Sequence, residues 1–112
     1  MMFCWLSLLA ACAAAPAEIA FVSGTEQEDQ CVCVLDVETG EQRRVGAGAR
    51  DGAPVWSPDG ARLAFQSKQP DGMGIRVVRA DGSEGRALAH AHLWNHGPAW
   101  SPAGGRLAYT AD

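Results

Sequence analysis

The chain has 112 residues, room for one small domain at most. Nine Lys and Arg oppose 13 Asp and Glu, and the resulting net charge of −4 excludes the basic footprint expected of a nucleic-acid binder. Hydrophobic residues make up 47% and charged residues 20%, so the chain is not compositionally disordered, while 13 glycines and 6 prolines predict many turns between short elements.

The N-terminus reads as an address. Phe3-Cys4-Trp5-Leu6-Ser7-Leu8-Leu9-Ala10-Ala11 is apolar, is too short to span a bilayer, and is followed by small residues, so residues 1–17 are taken as an export signal. No Lys or Arg precedes the apolar core, which leaves the terminal amine as its only positive charge. Two cleavage readings compete. Leu9-Ala10-Ala11-Cys12 fits a bacterial lipobox, in which the Cys12 thiol is acylated and becomes the new N-terminus. Ala15-Pro16-Ala17 before Glu18 fits ordinary signal peptidase. The lipobox fills all four positions and is favoured, so lipidation at Cys12 and a lipid anchor through residues 13–17 are expected. The expected location is the periplasm, or the outer membrane as an associated lipoprotein. Beyond residue 17 no apolar run approaches the ~20 residues of a membrane-spanning helix.

Internal repeats set the fold. Ile19-Ala20-Phe21, Leu63-Ala64-Phe65 and Leu107-Ala108-Tyr109 recur at a spacing of 44. Pro54-Val55-Trp56-Ser57-Pro58-Asp59-Gly60 recurs as Pro98-Ala99-Trp100-Ser101-Pro102-Ala103-Gly104 at the same spacing, and Arg62 matches Arg106. Val32-Cys33-Val34 matches Ile75-Arg76-Val77 at 43, as does Glu41-Gln42-Arg43-Arg44-Val45 with Glu84-Gly85-Arg86-Ala87-Leu88. Each unit reads as four short strands. In the middle unit these are residues 54–57, 62–67, 75–78 and 86–89. Ser57-Pro58-Asp59-Gly60 forms the first turn, Gly72 and Gly74 break the chain, and Asp81-Gly82 forms another turn. Four strands in about 44 residues is the length of one β-propeller blade, and Pro or Gly interrupts every window long enough for a helix.

Trp56-Ser57-Pro58-Asp59-Gly60 through Leu63-Ala64-Phe65, then Ile75-x-Val77 and Asp81-Gly82, resembles the WD-like propeller repeat of the TolB family. The same repeat occurs in propellers of prolyl oligopeptidase-like and tricorn-like peptidases. The resemblance implies an all-β fold of four-stranded antiparallel blades, exported or in the cell envelope. Residues 18–53 supply strands two to four of one blade, 54–97 a complete blade, and 98–112 two strands of the next. About two and a quarter blades is a partial propeller, since closed ones use ~4–8. Truncation of a longer gene product is the favoured expectation. Assembly of several copies through exposed blade edges is the other expected route to burying the end flanks.

Trp56 and Trp100 share a repeat position and are expected to fill the wedge between blades. Trp94 has no counterpart and lies in the inter-blade loop His90-Ala91-His92-Leu93-Trp94-Asn95-His96, where it suits either a ligand contact or packing over the blade edge. The candidate binding residues are His92, Trp94, Asn95 and His96. Three imidazoles can ligate a transition metal. In lyase propellers of similar repeat, however, the ligands come from several blades, and this loop holds no carboxylate, so no metal or cofactor is assigned. Cys31 and Cys33 alternate around Val32 and are expected to fill an inter-blade face, being too far apart along a strand for an unstrained disulfide. Asp59 is expected to accept N–H groups of its own turn, the acidic 25–30 loop to be solvated, and Arg43, Arg44, Arg62 and Arg106 to sit on rims.

No G-x-S-x-G elbow, phosphate loop or dinucleotide fingerprint is present. The leading expectation is therefore a non-catalytic TolB-like scaffold binding an envelope protein or peptide. The alternative is a propeller segment of a larger exported hydrolase or lyase, either a prolyl oligopeptidase-like peptidase or a metal-dependent polysaccharide lyase.

Overall fold

The computed structural model describes residues 17–46, 50–70, 72–88 and 95–111; for Gln27, Asn95, His96 and Ala111 it describes the backbone alone. The described residues form nine strands and one short 3-10 turn, with no α-helix.

Blade A holds β1 (Glu18–Ser23), β2 (Cys31–Asp36) and β3 (Gln42–Arg44); blade B holds β4 (Gly52–Trp56), β5 (Arg62–Gln69), β6 (Gly72–Arg79) and β7 (Arg86–Ala87); blade C holds β8 (Asn95–Trp100) and β9 (Leu107–Ala111). Each blade is an antiparallel meander in chain order. This is the all-β, partial-propeller architecture expected from the repeat.

The β5–β6 hairpin is longer than the glycines suggest. Gly72 opens β6 and Gly74 lies within it, opposite Ser67. Pairing across the hairpin fixes the backbone there, so a glycine without a side chain is carried inside the ladder rather than ending it. Among the described residues β7 holds Arg86 and Ala87 and leaves out Leu88; the last residue of the expected 86–89 strand lies outside them.

Burial follows from the strand alternation and the sandwiching of blade B. Val32 and Val34 of β2, Val45, Leu63 and Phe65 of β5, and Val78 of β6 make one buried cluster, with Ala20 and Trp56 packed against it. The cluster is the seam between blades A and B. The opposite face of β5 and β6 meets β8 of blade C. Covered on both sides, Leu63, Ala64 and Phe65 are buried in succession, as are Val77 and Val78. On the flanking blades Ile19 remains 52% exposed and Tyr109 42%.

The innermost strands β4 and β8 lie beside each other and share a bulge. The register shifts between Gly52 and Val55 in one and between His96 and Ala99 in the other. At the bulge Ala53 has φ +50° and its repeat partner Gly97 has φ +60°. Beyond it Trp56 pairs with Leu63 and Trp100 with Leu107, so the two tryptophans end equivalent strands at equivalent registers.

Candidate functional site

Cys12, His90, His92 and Trp94 lie outside the described residues. Asn95 and His96 open β8, where their backbones pair with Ala111 and Thr110. In the repeat they stand where Asp51 and Gly52 stand in blade B. There the strand entry is tied to the preceding blade: Asp51 donates its N–H to the Gln30 carbonyl at 3.0 Å, and its Oδ2 accepts from the Val32 N–H at 3.4 Å. Asp51 is fully buried. A Cβ at Gly46 would fall 2.1 Å from Asp51 Oδ2 and 3.0 Å from the Val32 backbone nitrogen, so the Asp51 carboxylate fills the space a side chain at 46 would need.

The same end of the blades carries the acidic 25–30 loop. It forms a 3-10 turn, Gln27–Asp29, closed by the Glu26 N–H on Asp29 Oδ1 at 3.0 Å. Glu28 reaches across to Lys68 at 3.3 Å and Arg50 at 3.6 Å. The loop is exposed and is also bridged to blade B.

At the opposite end the turn residues satisfy each other. Ser57 Oγ donates to Asp59 Oδ1 at 2.6 Å, accepts from the Arg62 N–H at 3.0 Å, and the Ala61 N–H reaches Asp59 Oδ1 at 3.0 Å. Those donors, the Ser57 hydroxyl first, hold the Asp59 carboxyl below the usual carboxylate range. Asp81 is lowered in the same way by the Ser83 hydroxyl and N–H, at 2.6 and 2.9 Å. Ser101 repeats the bond to the strand that follows, accepting from the Arg106 N–H at 3.1 Å.

Arg44 and Arg106 are exposed, but Arg43 and Arg62 depart from the expectation that they sit on rims. Arg43 is half-buried, pairs with Glu18 at 2.6 Å, and donates Nε to the Ala80 carbonyl of blade B at 3.0 Å. Arg62 lies in the seam between blades B and C. Its guanidinium stacks over Trp100 and its Nη2 donates to the Gly104 carbonyl at 2.9 Å. With Arg79, Arg86 and Glu84 it lines a cavity of about 400 Å³. The chain sequence carried a signal for this seam, because Arg62 recurs as Arg106 beside the recurring Trp.

Cys31 and Cys33 are both free and buried. They share a face of β2, as expected, but it is the face opposite Val32 and Val34 and so points away from blade B. With Arg44, Gln42, Asp29 and Ser23 they line a cavity of about 460 Å³. Arg44 donates Nε to Cys31 Sγ at 3.3 Å, and that bond strengthens the guanidinium's hold on its proton. Among the described residues no group of three or more His, Cys, Asp or Glu is placed to hold a metal ion, and no helix is long and apolar enough to cross a membrane.

Compared with family models, residues 8–112 match the TolB beta propeller domain. The chain belongs to the TolB β-propeller family. The TolB match begins at residue 8, inside the stretch read as an export signal; Cys12 falls 44 residues before Trp56. Among solved structures, one assigned as TolB from Agrobacterium tumefaciens is similar, with a TM-score of 0.71 and 26% identity over 82% of this chain and 33% of that one. This TolB-type chain thus spans about a third of the length of that neighbour. No curated protein matches it.

Proposed function

We propose that this TolB-type chain is a non-catalytic propeller module that binds an envelope protein or peptide through the loop ending in β8. Membership of the TolB family over residues 8–112 carries the reading. That family is generally non-catalytic, and its propellers are in general periplasmic. The geometry supports it in one respect. Turn hydroxyls and carboxylates at the Ser57–Asp59 end are occupied by each other and by their own backbone, whereas Asn95 and His96 open the innermost strand β8 and follow His92 and Trp94 in the chain. A rigid sheet presenting aromatic and polar loop residues is a common recognition surface. Export, with acylation of Cys12, would place the module at the membrane face.

A photo-cross-linking residue at position 94, introduced into the exported protein in cells, tests the reading. The expected result is one discrete envelope-protein adduct at position 94 and none from the same residue at Glu38, which lies exposed in the β2–β3 turn. Trp94→Ala should weaken capture of that partner by about 10-fold or more, as expected for an interface anchor. Equal labelling at both positions, or none at either, overturns it. Fatty-acid incorporation that disappears in Cys12→Ser tests the anchor.

A further inference from the structure

The geometry points to Cys31 and Cys33 as a two-sulfur site for a soft monovalent cation, copper(I) or its analogue silver(I), with Arg44 as the balancing charge. This goes beyond the proposed binding role, and none of the three residues belongs to the 89–96 loop.

Four observations carry the inference. The strand places both thiols on one face, at positions i and i+2, about 6.6 Å apart along the backbone. That separation exceeds the ~4 Å between the Cβ atoms of a disulfide, and the two sulfurs are free. A gap too long for an S–S bond suits a sulfur–metal–sulfur bridge. Second, both sulfurs lie along the β2 backbone, Cys33 Sγ 3.8 Å from the Cys31 carbonyl and Cys31 Sγ 3.5 Å from the Val32 carbonyl. Third, the thiols border the cavity of about 460 Å³, which offers an entry path. Fourth, Arg44 Nε sits 3.3 Å from Cys31 Sγ.

Coordination number and softness select the cation. Copper(I) is held by as few as two thiolates, and Arg44 offsets part of their charge. Zinc wants four ligands, and no third His, Cys, Asp or Glu joins the pair among the described residues. Thiolates select soft ions such as copper(I). On binding, two sulfur–copper bonds form, the thiol protons leave to solvent, and no electrons are transferred.

The test uses the full chain carrying Cys4→Ser and Cys12→Ser, so that Cys31 and Cys33 are its only thiols. Copper(I) is titrated anaerobically against a chromogenic chelator. The expected result is one copper(I) per chain with thiolate-to-metal absorption in the ultraviolet. Cys31→Ser or Cys33→Ser should abolish that stoichiometric binding, and Arg44→Gln should weaken it by roughly 10-fold while keeping one ion per chain. A second measurement does not depend on the folding of any further variant. One equivalent of copper(I) should protect both thiols from alkylation. One-to-one binding that survives in either single-serine variant, or thiols that alkylate equally fast with and without copper(I), overturns the assignment.

Discussion

The Arg62 guanidinium lies 4.9 Å from the centre of the Trp100 ring, joining the second strand of one blade to the innermost strand of the next. The same Trp100 donates its indole N–H to the Val55 carbonyl at 3.1 Å, and Arg62 also holds the Gly104 carbonyl. A partly desolvated cation–π contact with a charge-assisted hydrogen bond contributes about 1–3 kcal/mol. Arg62→Ala should therefore lower stability in urea unfolding by about that amount. Arg62→Lys should lose less, because it keeps the charge but not the flat stack. A loss in Arg62→Lys equal to that in Arg62→Ala would show that the retained charge contributes nothing, and no loss in Arg62→Lys would show that the planar stack contributes nothing.

The shared bulge predicts an asymmetry between repeats. Ala53 holds the left-handed backbone that Gly97 holds in the next blade, and a side chain there costs about 1 kcal/mol. Ala53→Gly should raise the urea midpoint modestly, and Gly97→Ala should lower it. Because the two sites sit at the same position of successive blades, opposite signs are the expected outcome. Like signs would contradict the equivalence of the bulges.

Acid should weaken the turns. Asp59 and Asp81 have folded-state values below the ordinary one, so each favours folding above the unfolded carboxylate pKa of about 3.9. That contribution is lost as pH falls through the lowered folded values. Melting temperature followed from pH 7 to pH 2.5 should fall more steeply in the native chain than in an Asp59→Asn, Asp81→Asn variant. The two curves should converge at the acid end. Parallel curves would remove the carboxylates from the account.

The blade plan was legible because a period of 44 fixes where apolar faces must meet. Leu63 and Phe65 alternate toward one neighbour, and Trp56 and Trp100 mark the same strand end. The seam chemistry was not legible, because it depends on which side chains face each other across blades. Arg62 and Arg43 look alike as surface cations in sequence, yet one lies on Trp100 and the other reaches Ala80. The Cys31 and Cys33 face was legible only as shared: alternation separates it from Val32 and Val34, but which face meets blade B depends on packing. At the candidate binding loop, the sequence reads Asn95 and His96 as loop residues before a strand opening at residue 98, whereas the backbone pairs them as the first residues of β8, because the ladder resumes beyond the bulge at 96–99. Trp94 and His92 lie outside the described residues.

The central claim is that successive repeats pack face to face as blades. Nuclear Overhauser contacts in a sample with labelled Val and Leu methyls test it most directly. Cross-peaks should join Val32 and Val34 of blade A to Leu63 and Val78 of blade B, with a slowly exchanging Trp100 indole proton marking the next seam. Absence of contacts between the two methyl sets, with all indole protons exchanging freely, would contradict it.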